Sequence, residues 1–213
     1  ESKGVYIGSN ILDFSQINEM MIAAKNATHK EKKVVMAGFG VGHLEKYAKK
    51  LQDNGYTIVV YAQDIQGKNT TRSLVEIISP GTYFGTDQQT LSNSTMCVWL
   101  QKSGNTLLSK DMITVGIANV DVYTGRTSIS QFETESFHNP CTYDELERLV
   151  TVHQPTECLV VSNMNNRIVQ DIIQFAGLDK CKVHLIDLED STKTASSARN
   201  AEKQIYQQEI FYK

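Results

Sequence analysis

Apolar residues in the first third of the chain recur first at helical and then at strand spacing. Over 13–27 they stand three and four positions apart behind Asp13, which predicts a helix with Asp13 as its cap. A lysine-rich segment then leads into a short apolar strand that ends at Ala37. From 41 to 51 the helical spacing returns, and Gly55, preceded by asparagine, predicts the end of that second helix.

Two strand patterns complete this part of the chain. Residues 56–61 and 73–79 are rich in β-branched and aromatic residues, and a polar loop over 66–71 separates them. A Pro-Gly pair follows at Pro80. The pattern predicts a small α/β unit of strand, helix and strand with one added strand.

The second half of the chain begins after a polar stretch over 85–95. Three strand patterns come first, and helices then alternate with strands: strands 96–101, 113–120, 127–132, 158–161 and 183–188, and helices 143–153 and 167–176. Strands that alternate with helices form parallel crossover units, so the order βββαβαβ predicts a mixed sheet with helices on its faces. This is the order of an RNase H-like fold. From Ser196 onward a further helix begins, with Ser197 as its candidate cap.

These patterns predict two α/β domains. We place the first over 1–86, a linker over 87–95, the second domain over 96–191, and the start of a long helix over 192–213. The chain begins at a glutamate without methionine, and the last helix has no stop signal. We therefore expect it to be a piece of a longer protein.

Charge limits the kind of nucleic-acid contact that the chain can make. With 21 Lys and Arg against 24 Asp and Glu, the net charge is -3, which excludes a strongly basic DNA-coating protein. Any such contact needs a local basic face. Nine cations fall between residues 25 and 72: Lys25, Lys30, Lys32, Lys33, Lys46, Lys49, Lys50, Lys68 and Arg72. Solvated helix faces and a lysine-rich loop explain this concentration equally well.

Cysteine spacing and hydropathy bear on the compartment. The four cysteines form no C-x-x-C pair, so the sequence predicts neither a zinc site nor a redox pair, but buried thiols in a reducing intracellular compartment, cytoplasm or nucleus. No apolar run approaches the roughly 20 residues of a membrane-spanning helix. We expect no membrane partner.

A glycine-rich turn, V-V-M-A-G-F-G-V-G-H over 34–43, is the first candidate for chemistry. Its glycines follow a strand and open a helix, and Asp64 comes after the next strand, as in a dinucleotide-binding domain. However, His43 stands where the third small residue of that fingerprint is needed for helix–strand packing. A Rossmann-like dinucleotide-binding domain is retained as an alternative.

A nuclease is the second alternative, because RNase H-like folds with catalytic acids hydrolyse phosphodiesters through bound metal ions. The available acids follow the strand patterns: Asp121, Asp187, Glu189 and Asp190. The middle of the second strand, 115–118, has no acid. Carboxylates at strand ends also cap turns, as Asp121 does if it precedes a turn at 123–126.

Two ordered blocks resemble the mismatch-recognition domain of the MutS family of DNA mismatch-repair proteins. The first is M-A-G-F-G-V-G-H-L-E-K-Y-A-K-K-L-Q-D-N-G-Y-T-I-V-V-Y-A-Q-D, and the second, at the right distance, is T-R-S-L-V-E-I-I-S-P-G-T. In the second half, I-A-N-V-D-V-Y-T-G-R and E-R-L-V-T-V-H-Q-P-T-E-C-L-V resemble the MutS connector, an RNase H-like module without catalytic acids. The ending A-E-K-Q-I-Y-Q-Q-E-I resembles the entry into the lever segment, most like the versions found in large DNA viruses.

The resemblance implies a non-catalytic fragment that contacts mismatched double-stranded DNA. Its candidate DNA-binding residues are His43, Arg72 and Lys68, while glycines shape the backbone at Gly38, Gly40, Gly42 and Gly81. It further implies a MutL-like partner, a dimeric parent, and a viral factory as the location if the parent is viral. Aromatic residues in the first domain, Phe39, Tyr47, Tyr56 and Tyr61, are expected in its core.

The chain departs from the MutS pattern at three points. The Phe-x-Glu that senses the mismatch has no counterpart, and Gly40 replaces the usual proline. No G-x-x-x-x-G-K-(S/T) is present, so no cofactor is expected in this fragment, and ATP and Mg are expected in the parent's ATPase domain.

Overall fold

The computed structural model describes residues 5–6, 10–29, 32–64, 71–82, 92–105, 110–136 and 140–211. The chain divides into two compact units, Glu1–Thr86 and Asp87–Lys213. Both contain helices and strands, which confirms the predicted α/β class.

The first unit contains five strands and two helices within the described residues. They are β1 (Val5–Tyr6), α1 (Ile11–Ile17), β2 (Ala23–His29), β3 (Lys32–Met36), α2 (Leu44–Asp53), β4 (Ile58–Asp64) and β5 (Thr71–Ile78). One sheet has the order β1-β3-β2, with β1 parallel and β2 antiparallel to β3. The other is a two-stranded antiparallel ribbon of β4 and β5. Short 3-10 turns precede α2 (Val41–His43) and follow β5 (Pro80–Thr82).

The helix predicted over 13–27 is much shorter in the structure. It ends at Ile17, Glu19 adopts a left-handed φ of 55°, and β2 begins at Ala23. The helical spacing continues in the sequence beyond Ile17, but residues from Ala23 onward form an edge strand that pairs antiparallel with β3. Sheet pairing here overrides a weak local preference for helix. The prediction was therefore wrong beyond Ile17.

Asp13 does not cap α1, whose cap position belongs to Asn10. Instead, its carboxylate accepts a hydrogen bond from the hydroxyl of Tyr56 over 3.2 Å. That hydrogen bond, together with desolvation and the negative charge of Asp13, raises the pKa of Tyr56. The contact ties α1 to the segment between α2 and β4.

α2, β4 and β5 confirm the predicted pattern, with shifts at their ends. Asn54 caps α2, and Gly55 adopts a φ of 76°, a conformation that glycine adopts at low cost. β5 begins at Thr71, so Arg72 lies in a strand and not in a loop.

The second unit is built on a five-stranded mixed sheet of order β10-β9-β6-β7-β8. Its elements are β6 (Ser94–Asn105), β7 (Lys110–Asp121), β8 (Thr127–Glu135), α3 (Asp144–His153), β9 (Glu157–Ser162), α4 (Asn166–Phe175), β10 (Lys182–Asp187), α5 (Lys193–Ala201) and α6 (Gln204–Phe211). β6, β7 and β8 are antiparallel neighbours, whereas β9 is parallel to β6 and to β10. The predicted order βββαβαβ is confirmed.

One face of this sheet forms the core against α3 and α4. Alternate residues of β6 and β7, such as Val98, Leu100 and Val115, pack against apolar side chains of the two helices, such as Leu146 and Ile172. Apolar residues recur at every second position in the strands and at helical spacing in α3 and α4, so each element has one apolar face that packs in this core. The sequence pattern was informative here for that reason.

Both ends of the second unit differ from the prediction. β6 begins at Ser94 and Asn93 is already buried, so the last part of the proposed 87–95 linker belongs to the folded unit. The expected long final helix is instead α5 and α6. Thr192, and not Ser197, caps α5, because its hydroxyl accepts the N–H of Ala195 over 3.3 Å.

The four cysteines, all within the described residues, are unbridged. Cys158 is buried, and its burial raises the pKa of its thiol. Cys97 and Cys181 are half-buried, whereas Cys141 is exposed, so the expectation of burial was wrong for Cys141. In the described ranges, no helix has both the length and the apolar character needed to span a membrane.

Candidate nucleic-acid interface

The glycine-rich turn leads directly into the start of α2. The backbone N–H of His43 donates to the carbonyl of Gly40 over 2.9 Å, which closes the short 3-10 turn over Val41–His43. His43 occupies the cap position of α2, but its exposed side chain makes no capping hydrogen bond. The first turn of a helix carries partial positive charge, so this end of α2 suits an anion.

Lys46 extends the positive character of this end. It lies one turn after His43 on α2 and is exposed, with its ammonium 5.8 Å from the ring centre of Tyr47. Residues three apart share a helix face, so Lys46 and His43 can reach one ligand. Lys50, one turn further, instead lies 3.6 Å from the carboxylate of Glu19. Sequence reasoning did not single out Lys46, although its i, i+3 spacing from His43 was the available signal.

A row of aromatic rings holds the turn against the helices. Phe39 stacks on Phe14 with ring centres 6.2 Å apart and packs on Tyr47 at 4.7 Å. The His43 ring meets the same Tyr47 ring edge-on at 6.4 Å. Such ring contacts fix geometry as well as burying apolar area. Phe39 and Tyr47 are half-buried and not core residues, and their contact orients the turn that carries His43.

The glycines of this turn do not have the role that was predicted for them. Gly38, Gly40 and Gly42 lack a positive φ, and a Cβ at any of them would meet nothing closer than 3.9 Å. The structure therefore provides no conformational requirement for glycine at these three positions. Gly81 is buried in the 3-10 turn after β5.

The second matched block places Arg72 on the ribbon. Arg72 is exposed on β5, opposite Gln63 of β4. The two matched sequence blocks contact each other away from Arg72. The side-chain amide of the buried Gln52 on α2 donates to the carbonyl of Ser79 over 3.0 Å. Arg72 lies seven residues before Ser79, which is about 23 Å along a strand, so His43 and Arg72 are not joined by this contact. Lys68 lies outside the described residues.

Four apolar side chains share the ribbon face that carries Arg72. Val59 opposes Ile77 and Tyr61 opposes Leu74, and each of the four is about half exposed, from 49% for Val59 to 59% for Tyr61. Residues opposite each other in an antiparallel pair project to the same side. The expectation of a core position for Tyr61 was therefore wrong.

Sheet connectivity contradicts the dinucleotide-binding alternative. In such a domain, the strand before the glycine turn and the strand after the helix are parallel neighbours in one sheet. Within the described residues, β3 pairs with β1 and β2, whereas β4 pairs with β5. The βαβ unit that this alternative requires is not formed.

The acids of the nuclease alternative are not brought together. Asp121 at the end of β7 aligns with Ser94 of β6, whereas Asp187 of β10 aligns through Ser162 with Leu100 of β6. Six residues of a strand separate these positions by about 20 Å, several times too far for one metal ion. Among the described residues, no group of three or more His, Cys, Asp or Glu is arranged to hold a metal ion.

Asp121 has a structural role in a turn. Its carboxylate accepts the backbone N–H groups of Tyr123 at 3.0 Å, Thr124 at 3.3 Å and Asn93 at 3.4 Å. Partial desolvation raises the pKa of Asp121, but these hydrogen bonds and one from the Thr124 hydroxyl together hold that pKa below its ordinary value. This is the turn-capping role considered from the sequence.

Comparison with known proteins supports the matched blocks. The family model of MutS domain I matches residues 9–87. Over 140 residues, the chain is 26% identical to a protein described as a DNA mismatch repair protein mutS homolog from Acanthamoeba polyphaga mimivirus. That match covers 64% of this chain and 12% of the viral protein, so the chain spans a small part of this relative's length.

The family match contains the glycine-rich turn, α2 and both strands of the ribbon. His43, Lys46 and Arg72 therefore all lie within the matched domain. Over residues 9–87, the chain is similar to domain I of the MutS family, and the similarity to the viral mutS homolog agrees with that match.

Proposed function

We propose that this chain is the mismatch-recognition and connector portion of a MutS-like DNA mismatch-repair protein. The family match over residues 9–87 carries the proposal. In it, the chain has no catalytic activity of its own, contacts mismatched duplex DNA through the first unit, and depends on the rest of its parent for ATP and Mg.

The distribution of charge favours the first unit as the DNA-binding one. Residues 1–86 carry ten Lys and Arg against eight Asp and Glu, whereas residues 87–213 carry eleven against sixteen. DNA affinity rests on cations that neutralise phosphates, so an acidic surface is repelled. The second unit is therefore the less suitable one for a DNA contact.

Phosphate binding at the start of α2 is the proposed DNA contact. The exposed His43 and Lys46 lie at the same end of α2, where the helix dipole is positive, and both side chains can donate to a phosphate. Arg72 supplies a second phosphate contact from the ribbon. The parent reads a mismatch through the lower cost of bending and unstacking a weakened step.

We further propose that residues 96–191 form an RNase H-like connector that relays between DNA, the ATPase and a MutL-like partner. The strand order β10-β9-β6-β7-β8 and the crossover helices α3 and α4 support this assignment. The separation of Asp121 from Asp187 agrees with a connector that does not hydrolyse DNA. In the proposal, the parent acts as a dimer.

Binding of homoduplex and mismatched DNA at two salt concentrations tests the proposal. We expect weak, strongly salt-dependent binding without mismatch preference, because the Phe-x-Glu sensor has no counterpart in the chain. Replacing His43 and Lys46 together by alanine should weaken binding about tenfold, whereas Lys193→Ala on α5 is the matched control. Tight NAD binding, or Mg-dependent cleavage of DNA, would overturn the proposal.

A further inference from the structure

A pocket lies at the edge of the second unit where α3 and α4 end. Each helix leads into a parallel strand, α3 into β9 and α4 into β10, so both helix C-termini lie at the same edge of the sheet. Between them is a cavity of about 640 Å³, a size typical of ligand pockets. It is lined by one side of α3 from Glu147 to Gln154, by the last turn of α4 at Phe175, and by the segment from Gly177 to Cys181.

The pocket has a negative electrostatic character from two sources. Helix C-termini carry partial negative charge, and here two of them converge. Two carboxylates, those of Glu147 and Asp179, also line the cavity. Lys180 is the one cation among the described lining residues, and its ammonium approaches α4 so closely that a Cβ on Gly177 would lie 3.7 Å from it. The ammonium of Lys180 thus lies close to the C-terminal end of α4.

The remaining walls are apolar. Phe175 lines the pocket with 41% of its surface exposed, and Pro155 is buried beside it. An exposed aromatic ring next to carboxylates suits a planar cation better than a compact one, because a guanidinium stacks on the ring while its N–H groups meet the acids. A strongly hydrated ammonium or metal ion makes less use of such a wall.

Cys181 also lines the pocket, and the pKa of its thiol is raised. Burial, followed by smaller contributions from the carboxylates of Asp179 and Glu157, raises the pKa of its thiol to about 11, against the hydrogen bond that lowers it. Burial is the main cause of this shift, and the nearby carboxylates add to it because negative charge disfavours a thiolate.

We propose that the pocket between the ends of α3 and α4 binds an arginine side chain of a partner protein. The guanidinium lies between Glu147 and Asp179, stacks on Phe175, and donates further hydrogen bonds to carbonyl oxygens at the helix ends. This inference rests on the proposed function in one respect only, namely that the partner is a protein of DNA mismatch repair. The preference for arginine is a property of the second unit and is measured without DNA.

Titration of the 213-residue chain with N-acetyl-arginine amide, followed by NMR, tests this proposal. We expect saturable shifts at the backbone amides of Gln154 and Gly177, with a dissociation constant on the order of millimolar for a single side chain. The neutral isostere N-acetyl-citrulline amide should bind about tenfold more weakly. Equal binding of the two compounds, or no shift at these amides, would overturn the proposal.

Isosteric variants separate a charge effect from a structural one. Glu147→Gln and Asp179→Asn should each weaken arginine binding about threefold, whereas Lys180→Ala should strengthen it about threefold because a competing cation is removed. Asp171→Asn, on α4 outside the pocket, is the matched control and should change nothing. Unchanged arginine affinity in all three pocket variants contradicts the proposal. Tighter binding of Mg²⁺ or spermidine than of the arginine compound, weakened to the same extent by Glu147→Gln, would contradict it as well.

Mismatched-DNA binding by the same variants keeps the two proposals distinguishable. The pocket variants should bind duplex DNA like the unmodified chain, because the proposed DNA contacts lie in the first unit. If the unmodified chain binds duplex DNA but shows no arginine binding, the pocket proposal alone is overturned. If the unmodified chain binds arginine but not duplex DNA, the proposed function alone is overturned.

Discussion

The side-chain amide of Gln52 donates a hydrogen bond to the carbonyl oxygen of Ser79 over 3.0 Å. Gln52 is 7% exposed and lies on the inner face of α2, 27 residues before its partner. The bond therefore joins the helix that follows the glycine-rich turn to the end of β5, where the S-P-G-T motif begins. This hydrogen bond therefore connects the two sequence blocks that resemble MutS.

Gln52→Ala should destabilise the first unit. The substitution leaves the Ser79 carbonyl without its donor and removes buried side-chain volume, which lowers the free energy of unfolding by about 1–2 kcal/mol. Urea unfolding followed by far-UV circular dichroism measures the effect. Gln16→Ala on the exposed face of α1 is the control, and an equal loss in both variants would contradict the role of the Gln52 bond.

The ring contacts at the glycine-rich turn predict energetic coupling between Phe39 and Tyr47. A double-mutant cycle with Phe39→Leu and Tyr47→Leu should give a coupling of about 0.5–1.5 kcal/mol, because their ring centres are 4.7 Å apart. The measurement is urea unfolding of the four proteins. Tyr61, whose ring makes no described contact with Phe39, provides the control pair, for which the effects should add. Additivity for Phe39 and Tyr47 as well would show that the packing is not specific.

The second unit followed its sequence pattern closely, whereas the first did not, and the reason is physical. In β6 and β7, apolar residues such as Val98 and Val115 alternate with outward residues over long strands, so local pattern and tertiary packing agree. At Ala24, the helical spacing competes with pairing to Val35 of β3, and nothing in the local pattern reveals that partner. Short strands next to short helices are where such competition is decided by distant residues.

The candidate site was predictable in part for a similar reason. His43 was found because it stands in a motif, and its exposed position at the start of α2 is one that motif spacing can indicate. Lys46 was not singled out, because α2 carries several lysines and the sequence does not show which of them lies on the same side of the helix as the proposed DNA contact. The pocket at Phe175 was also beyond reach, since it exists only where two crossover helices end side by side.

Arg72→Ala should reduce the salt dependence of DNA binding. If Arg72 neutralises one phosphate, the slope of log Kobs against log salt should fall by about 0.9, with the affinity loss similar for every DNA sequence. Fluorescence anisotropy over a range of salt concentrations measures the slope. Arg167→Ala, at the exposed start of α4, removes the same charge from the second unit and should leave the slope unchanged. An unaltered slope for Arg72→Ala would show that this arginine does not contact DNA.

The Asp121 turn predicts a stability difference that depends on pH. Its pKa is lowered in the folded chain by the N–H groups that it accepts, against partial desolvation that raises it. A lowered folded pKa means that the carboxylate stabilises the fold above the ordinary pKa, and that this contribution is lost as the pH falls below about 4. Asp121→Asn should therefore be less stable than the unmodified chain at pH 7, and the difference should shrink at pH 3.

Urea unfolding followed by the fluorescence of Trp99 measures this difference, because the single tryptophan of the chain lies on β6 of the same unit. Asp171→Asn on an exposed face of α4 is the control and should show no such pH dependence. A difference between Asp121→Asn and the unmodified chain that grows toward pH 3 would reverse the expected sign. It would mean that the folded chain raises the pKa of Asp121 and favours its protonated form, and Asp121 would then have to be reconsidered as a site of chemistry and not of turn capping.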